Sequence, residues 1–305
     1  MKAIRINEFG SSDKVQVEDL PLPEVETGFA LVRIKAAGVN PVDWMVRENI
    51  YNPEGADQVP LTLGQDFAGV IEKLGDGSKT DLKPGDEVFG EVWGSFAEFA
   101  RVPISDLVRK PKGLTFEVAA ALPMPALTAW QSIVDTAGAK PGMRFLIHGA
   151  GGAVGSFAAQ IAKYKGCWVA ATASQASFPF LESCGIDLLI DYAKEDFAQK
   201  VRDCDVVLDP IGSDVLARSY QVLKKGGMLI NLLGELNDAQ ANAAGVQGVN
   251  FGMEYDVEDL EEFAGLVEQG AIKPHVSQVM PLDQARKALD LNQNNQSHGK
   301  IVLVP

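Results

Sequence analysis

The amino-acid sequence predicts an α/β protein with two domains, in which a small β-barrel or β-sandwich precedes a doubly wound parallel sheet. Two features of the pattern support this. Residues 1–120 form short alternating segments punctuated by glycine and proline, whereas short apolar segments separated by helix-length stretches begin at residue 142. The length of 305 residues is also about twice that of a typical domain.

The first region contains five segments with the alternation of half-buried strands. They are residues 2–6, 30–36, 68–74, 87–92 and 97–102. The sequence Lys-Pro-Gly-Asp at 83–86 predicts a tight turn, because proline fixes φ and glycine accepts the left-handed conformation. Frequent turns between short strands favour a small barrel or sandwich.

The second region alternates strands with helices. Its apolar strand cores are residues 145–147, 169–171, 188–190, 206–208 and 229–233. Between the first two cores, apolar residues recur at helical spacing at Val154, Phe157, Ala158, Ile161 and Ala162. A crossover helix needs this stripe to pack on a sheet, so the segment predicts a βαβ unit. A helix over 257–267 and a strand over 276–280 follow, and the closing GKIVLVP is expected to return to the first domain.

The charge composition disfavours several classes of partner. The chain has 27 basic and 41 acidic residues, a formal net charge of −14, which repels a phosphate backbone, so we expect no nucleic-acid partner. No window approaches 18 uninterrupted apolar residues, and the first ten residues alternate like a strand, so we expect no membrane association and a cytoplasmic location. Three cysteines without CxxC spacing fit neither a disulfide framework nor a zinc knuckle.

A glycine-rich loop lies between the first strand of the second region and its striped helix. The sequence GAGGAVG spans residues 149–155, with Gly149, Gly152 and Gly155 at three-residue spacing. Such a loop lets the backbone approach a pyrophosphate, whose charge is met by free amides and the helix dipole. It predicts a dinucleotide site formed by Gly149, Gly151, Gly152, Ala153, Val154 and Gly155. A turn that only lets helix and strand pack closely is the alternative.

The end of the second strand in this region bears on the choice of cofactor. Proteins that bind NAD place an acidic residue there, against the ribose hydroxyls, and this sequence has Ser174. A carboxylate about 4 Å from a phosphate would cost several kcal/mol at an effective dielectric near 20. We therefore predict NADPH. NADH stays an alternative cofactor, since no basic residue follows Ser174 nearby and Phe178 and Phe180 lie where one would be expected. A second alternative is that Ser174 is an ordinary loop serine.

Further segments carry a resemblance that covers essentially the whole chain. They are AAGVNPVDW at 36–44, GQDFAGVIEKLG at 64–75, KPGDEVFG at 83–90, AALPMPALTAW at 120–130, DVVLDPIG at 205–212 and the closing HGKIVLVP. Together they resemble the zinc-free quinone oxidoreductase and enone reductase branch of the medium-chain dehydrogenase/reductase superfamily. The resemblance implies a GroES-like partial β-barrel catalytic domain at 1–122 and 265–305, a Rossmann NADP-binding domain at 123–264, and an active-site cleft between them. It also implies a homodimer, and VQGVNFGM at 246–253 is a candidate edge strand for pairing with a second copy.

The resemblance also bears on metal binding. Zinc alcohol dehydrogenases of this superfamily hold the metal through a Cys, a His and commonly a second Cys, and the matching residues here are Asn40, Gln65 and Met124. Neither amides nor a thioether substitute well for these Zn²⁺ ligands, so we expect no metal. Without a Lewis acid, a conjugated acceptor is easier to reduce than a saturated ketone, because the charge that develops is delocalised. The expected chemistry is hydride transfer from NADPH to a quinone or an α,β-unsaturated carbonyl compound, followed by protonation.

The resemblance implies individual site residues as well. The catalytic candidates are Tyr51, as a hydrogen-bond or proton donor, and Asn40, which would orient substrate or cofactor. The expected substrate-pocket residues are Asp43, Trp44, Thr62 and Gln65. The expected cofactor contacts, besides the glycine loop and Ser174, are Thr128, Tyr192, Leu233, Gly234 and Lys300, with Leu233 and Gly234 ending the fifth strand of the second region.

Alternatives remain at both levels. The alternative roles are a packed or exposed loop tyrosine for Tyr51, a turn cap for Asn40 and a packing residue at a strand end for Tyr192. For the whole protein, the alternatives are an NADPH-binding redox sensor or structural relative without turnover, and a zinc alcohol dehydrogenase. Tight NADPH binding without oxidation would favour the first of these, and a stoichiometric metal content would favour the second.

Overall fold

The computed structural model describes residues 1–53 and 56–305. The strands, in chain order, are β1 (Lys2–Ile6), β2 (Gln16–Asp19), β3 (Phe29–Gly38), β4 (Leu61–Thr62), β5 (Asp66–Leu74), β6 (Glu87–Glu91), β7 (Phe99–Pro103), β8 (Val108–Arg109), β9 (Arg144–Ile147), β10 (Trp168–Ala173), β11 (Leu188–Asp191), β12 (Cys204–Asp209), β13 (Leu223–Asn231), β14 (Gln247–Asn250), β15 (Val276–Pro281) and β16 (Lys300–Val304).

The α-helices, in chain order, are α1 (Pro41–Arg47), α2 (Phe116–Ala120), α3 (Pro123–Trp130), α4 (Ala153–Tyr164), α5 (Phe178–Ser183), α6 (Phe197–Lys200), α7 (Ser213–Ser219), α8 (Asp238–Ala244), α9 (Val257–Glu268) and α10 (Ala285–Gln293). A π-helical segment, Gln131–Thr136, continues α3. None of the helices in the described ranges combines the length and the hydropathy that a bilayer crossing needs.

The described chain divides into two compact units. The first unit comprises Met1–Met124, Tyr255–Glu268 and Val276–Pro305, and the second comprises Pro125–Glu254 and Gln269–His275. Both ends of the chain therefore belong to the first unit. The predicted α/β class is confirmed, with a mainly antiparallel barrel-like unit and a parallel-sheet unit.

The first unit is built on a seven-stranded sheet and a three-stranded sheet. The larger has the order β15-β16-β3-β5-β6-β8, with β7 also paired to β3, and the smaller has the order β2-β1-β4. The closing strand β16 pairs antiparallel with β3, which confirms the expected return of the carboxyl end to this unit. The register places Asp66 opposite both Gly38 of β3 and Glu91 of β6, so two acidic residues from neighbouring strands and a glycine lie side by side at one end of the sheet.

Apolar side chains fill the interior of the first unit. The alternating strand pattern turns one face of each strand inward, and Phe67, Ile71, Phe96 and Leu303 become fully or almost fully buried. Burial of such a side chain contributes roughly 1.5–3 kcal/mol each before entropic costs. This core fixes the strand ends from which the polar residues project.

The second unit is a six-stranded parallel sheet with the order β11-β10-β9-β12-β13-β14. The predicted βαβ unit forms as β9, α4 and β10, and α4 buries Phe157, Ala158, Ile161 and Ala162. The strand order reverses between β9 and β12, where an open α/β sheet leaves a crevice at the carboxyl ends of its strands. The glycine loop follows β9 and therefore lies at this position.

Two predictions concern the β13–β14 edge of the parallel sheet; one is confirmed and the other is corrected. Residues 246–253 supply the last strand, β14, which pairs with β13 and leaves its other side as the sheet edge. The prediction that Leu233 and Gly234 end the fifth strand is wrong, since β13 ends at Asn231. The Asn231 side chain accepts from Leu233 N at 3.3 Å and donates to Gly234 O at 2.9 Å, so it closes a turn instead.

Candidate active site

The glycine loop of the second unit requires glycine at particular positions. Gly149 has φ +60°, a left-handed conformation, directly after β9. A Cβ on Gly151 would lie 2.5 Å from the Ser177 hydroxyl, and a Cβ on Gly155 would lie 2.5 Å from the Gly149 carbonyl oxygen. The loop thus packs tightly against its own helix and the turn after β10.

The same loop presents backbone donors. Gly152 precedes the first turn of α4 and supplies no side-chain cap, and Ala153 and Val154 in that turn are half-buried. The first amides of a helix have no intrahelical acceptor, and the helix dipole adds positive potential there. The arrangement fits the pyrophosphate of a dinucleotide, which is the anion expected from the loop sequence.

A buried histidine supports the loop from behind. His148 Nδ1 lies 3.0 Å from Thr172 Oγ1 and its Nε2 lies 3.0 Å from Ser219 Oγ. Ser219 donates its own proton to Val215 O, so Nε2 must donate to Ser219 and Nδ1 must accept from Thr172. Thr172 Oγ1 in turn accepts the Gly149 N–H at 3.2 Å. Burial lowers the pKa of His148 to about 3, so a neutral imidazole holds the first glycine of the loop.

The turn after β10 contains the predicted Ser174, together with Gln175 and Ser177, which the sequence did not single out. Ser174 is half-buried, and its hydroxyl lies 3.5 Å from that of the buried Ser177. The next residue, Gln175, accepts a hydrogen bond at 2.9 Å from the ammonium of Lys194. A basic residue therefore lies beside this turn, although none lies close to Ser174 in sequence. Only the parallel pairing of β10 with β11 indicates it.

The remaining expected cofactor residues of the second unit occupy separate places. Tyr192 directly follows β11 and is 64% exposed. Leu233 and Gly234 lie in the turn after β13, and Leu233 is exposed. Thr128 is half-buried within α3. The roles of these four residues toward a cofactor stay predictions.

In the first unit, four of the expected residues lie together near Asp66, and each of them is buried or half-buried. The Lys300 ammonium lies 2.9 Å from Asp66 Oδ2 and donates to Asn40 Oδ1, and Asn40 Nδ2 donates to Asp66 Oδ2 at 2.8 Å. Asp43 Oδ2 accepts the Asn40 N–H at 2.7 Å. We call Asn40, Asp43, Asp66, Glu91 and Lys300 the buried polar cluster; the fourth expected residue, Gln65, adjoins it through Glu91.

Glycine at position 38 lets the lysine reach this cluster. A Cβ on Gly38 would stand 2.8 Å from Lys300 Cε and 2.3 Å from the Ala120 carbonyl oxygen. The absence of a side chain on β3 therefore leaves the channel along which Lys300 crosses from β16 to Asp66. The sequence placed Lys300 among the cofactor contacts, and the structure gives its ammonium two partners inside the first unit.

Two carboxyl groups of the buried polar cluster have raised pKa values, and that of Asp43 lies above neutral pH. Burial raises the pKa of Asp43 to about 8, and burial together with the neighbouring Asp66 raises the pKa of Glu91 well above its ordinary value. Gln65 donates to Glu91 Oε2 at 3.1 Å. Asp43 Oδ1, Gln65 Oε1 and Glu91 Oε1 are buried without a hydrogen-bond partner in the described part of the chain. Sequence reasoning missed Glu91, which only the register opposite Asp66 indicates.

Among the described residues, the other three expected residues of this unit form no hydrogen bond with the buried polar cluster. Tyr51 follows α1 in a loop and is 52% exposed. Thr62 ends the short strand β4 and is half-buried. Trp44 packs against the apolar core of the unit, and its Nε1 is buried without a partner among the described residues.

Comparison with known proteins adds to this geometry. Residues 26–112 match the model of the alcohol dehydrogenase GroES-like domain, and residues 184–303 match the model described as zinc-binding dehydrogenase. The chain is 33% identical over 320 residues to an NADPH-dependent alkenal/one oxidoreductase of Arabidopsis thaliana, covering 100% of this chain and 80% of the relative. It is 30% identical over 328 residues to the quinone oxidoreductase of Mus musculus, covering 100% and 98%.

Solved structures agree. The crystal structure of Escherichia coli quinone oxidoreductase complexed with NADPH matches with a TM-score of 0.92 and 25% identity, over 100% of both chains. The chain belongs to the medium-chain dehydrogenase/reductase superfamily, in its quinone oxidoreductase and enone reductase branch. It is accordingly an oxidoreductase.

The zinc site that the family model's description implies does not fit the residues present. The side chains at the ligand positions are the amides of Asn40 and Gln65 and the thioether of Met124, which are poor ligands for Zn²⁺. Both amide atoms of Asn40 are engaged by Asp66 and Lys300, and the Lys300 ammonium already supplies a positive charge to Asp66. A divalent cation beside that ammonium would meet direct repulsion. The positive charge beside Asp66 comes from the Lys300 ammonium.

Proposed function

We propose that the chain is an NADPH-dependent reductase of quinones or α,β-unsaturated carbonyl compounds. The observation that carries this proposal is the buried polar cluster with the adjoining Gln65: an ammonium contacts Asp66, and amides occupy two of the positions that hold metal ligands in zinc alcohol dehydrogenases. Saturated ketones and aldehydes need strong stabilisation of a localised alkoxide, whereas a conjugated acceptor spreads the charge over several atoms. Hydrogen bonds alone suffice for the second kind of acceptor.

The cofactor part of the proposal rests on the second unit. Bound NADPH supplies the hydride for the reaction. The glycine loop and the first turn of α4 would bind its pyrophosphate, since the first amides of a helix have no intrahelical acceptor and the helix dipole is positive there. Ser174 in place of an acidic residue removes the repulsion that a 2′-phosphate would meet. The names of the Arabidopsis relative and of the Escherichia coli complex, which include NADPH, support the same choice.

The reaction needs a hydride and a proton at different atoms of the acceptor. After hydride addition to the β-carbon of an enone, the enolate oxygen needs a hydrogen-bond donor, and the α-carbon finally takes a proton. We assign the donor role to Tyr51, which lies in the loop after α1 and is 52% exposed. Asn40 has its amide fixed by Asp66 and Lys300, so we assign it a positioning role for the start of α1.

An acceptor panel tests the proposed function. Purified protein with NADPH is given a series of quinones, enones and saturated ketones, and cofactor oxidation is followed by absorbance. We expect turnover with the conjugated acceptors and none with the saturated ketones. Silence across the whole panel, with tight NADPH binding, would contradict the proposal and favour a binding protein without turnover.

The assignment of Tyr51 has a matched control in the same chain. Tyr51→Phe removes the donor, and Tyr164→Phe changes a tyrosine of equal exposure, 53% against 52%, at the end of α4. We expect Tyr51→Phe to lower kcat about 100-fold, the usual contribution of a positioned acid, while Tyr164→Phe leaves it unchanged. Full turnover by the Tyr51 variant would remove this residue from the reaction.

We also propose a homodimer formed through the edge strand β14. Its residues are mostly exposed, and an uncovered strand edge offers backbone donors and acceptors to a second copy. Light scattering at micromolar protein concentration is expected to return twice the chain mass. A monomeric mass there would contradict the dimer.

A further inference from the structure

A basic residue of the second unit lies near Ser174 in the fold, although no basic residue lies near Ser174 in the sequence. Lys194 follows β11, and its Nζ donates to Gln175 Oε1 at 2.9 Å, beside the turn that contains Ser174. The Lys194 side chain is 66% exposed. Nineteen residues separate Gln175 and Lys194, and the parallel register of Ala173 with Asp191 brings them together.

Short distances connect the glycine loop, the turn after β10 and this lysine. A Cβ on Gly151 would lie 2.5 Å from Ser177 Oγ, and Ser177 Oγ lies 3.5 Å from Ser174 Oγ. Gln175 comes next in sequence and contacts Lys194. A dinucleotide whose pyrophosphate lies on the glycine loop places its adenosine ribose at the end of the second strand. The end of β10, and hence the ammonium, lies where the ribose 2′ position is expected.

The charges around Lys194 determine what it does for an incoming phosphate. Its only ionic partner in the described part of the chain is Asp191, with Nζ 3.3 Å from Oδ2. Asp191 Oδ1 accepts the Ala193 N–H, so the carboxylate is held in place by the backbone. The neighbouring Glu195 pairs with Lys200 at 2.6 Å and does not compete for Lys194. Lys194 therefore both attracts a phosphate and screens the fixed Asp191 carboxylate from it.

We propose that Lys194 selects NADPH over NADH by binding the adenosine 2′-phosphate at the carboxyl ends of β10 and β11. Ser174 permits the phosphate and Lys194 attracts it, so the positive charge comes from the neighbouring strand and not from the turn after β10. An exposed ion pair such as Lys194 with Asp191 is weak, so the ammonium turns to a phosphate at little cost. This inference rests on the proposed function, since it assumes a nicotinamide dinucleotide on the glycine loop.

Titration of protein fluorescence with NADPH and with NADH tests the proposal. For the unchanged protein we expect tighter binding of NADPH. Lys194→Gln is expected to lower the ratio of the two affinities at least about tenfold by weakening NADPH alone, since the variant loses the cation and leaves Asp191 unscreened. Lys194→Arg keeps the charge and is expected to keep the preference. Lys200→Gln, which removes another exposed lysine six residues on, is the matched control and is expected to leave the ratio unchanged.

The outcomes separate this inference from the proposed function. If the protein prefers NADPH and reduces conjugated acceptors, but Lys194→Gln keeps that preference or loses no more than Lys200→Gln, the role of Lys194 is overturned and the proposed function stands. Equal affinity for NADPH and NADH in the unchanged protein also overturns the role of Lys194. If the protein binds neither dinucleotide, both proposals are overturned.

Discussion

The two units hold their functional groups in different ways. In the second unit, the candidate cofactor site consists of backbone amides of one short loop, supported by a neutral histidine. In the first unit, the buried polar cluster consists of side chains from β5, β6, β16 and the start of α1, with one ammonium among three carboxyl groups. The first arrangement depends on the shape of a short segment, and the second depends on charges brought together by the whole sheet.

The difference extends to the protonation of buried groups. Burial keeps His148 without a proton in the second unit and keeps a proton on Asp43 in the first. Both units therefore reduce their buried charge at neutral pH, one by losing a proton and the other by gaining one. They are expected to lose stability at opposite ends of the pH range.

The largest expected effect is on the first unit. Lys300→Met removes the ammonium and leaves Asp66 buried without its cation, where the side chains of the pair are 4% and 0% exposed. Removing one partner of a buried ion pair costs about 3–5 kcal/mol, and we expect a loss of that size in the free energy of unfolding, measured by urea denaturation.

The control is the double variant Lys300→Met with Asp66→Asn, which removes both charges. We expect it to recover most of the lost stability, since replacing both members of a buried ion pair is often nearly neutral. If the double variant is as unstable as the single one, the charge of Asp66 is not what Lys300 compensates.

The second prediction concerns the pH dependence of the same unit. The pKa of Asp43 is about 8 in the folded protein and near 3.8 when unfolded, so the folded state holds the extra proton between these values. Stability then falls as the pH rises through that window. Relative to Asp43→Asn, which has no such proton, we expect the free energy of unfolding to fall by about 3 kcal/mol between pH 5 and 7. Urea denaturation of both proteins across this range measures it, and parallel pH curves would contradict a protonated Asp43.

The third and smallest prediction has the opposite sign. The pKa of His148 is about 3 when folded and near 6.5 when unfolded, so the unfolded state takes up a proton that the folded state does not. Stability is expected to fall as the pH drops below 6.5, by about 1–2 kcal/mol between pH 6.5 and 5 relative to His148→Gln. The same denaturation series provides the measurement. A histidine that titrates normally in the folded protein would give no difference between the two curves.

The sequence predicted the second unit well because its signals are local. The strand, glycine loop and striped helix lie within about 20 residues, and β9, α4 and β10 form where the pattern placed them. The edge strand β14 was also predicted from a short segment. The end of β13 was misplaced, since apolar residues continue to Leu233 whereas the turn depends on side-chain bonds of Asn231.

The contacts that the sequence missed join residues far apart in the chain. Lys300 meets Asn40 across 260 residues and Asp66 across 234, so no local pattern indicates that its ammonium is buried. Glu91 joins this cluster through strand register, and Lys194 reaches Gln175 through the pairing of two parallel strands. Family motifs supplied the positions of Asn40 and Gln65, but the partners that engage them follow only from the folded sheet.

We propose that the chain reduces conjugated acceptors and that a lysine-centred cluster stands in place of a zinc ion. The most direct test is the rate of NADPH oxidation with an enone, measured before and after exhaustive treatment with a chelator and again after addition of zinc. We expect the same rate in all three states. A rate that disappears on chelation and returns with zinc would contradict the proposal.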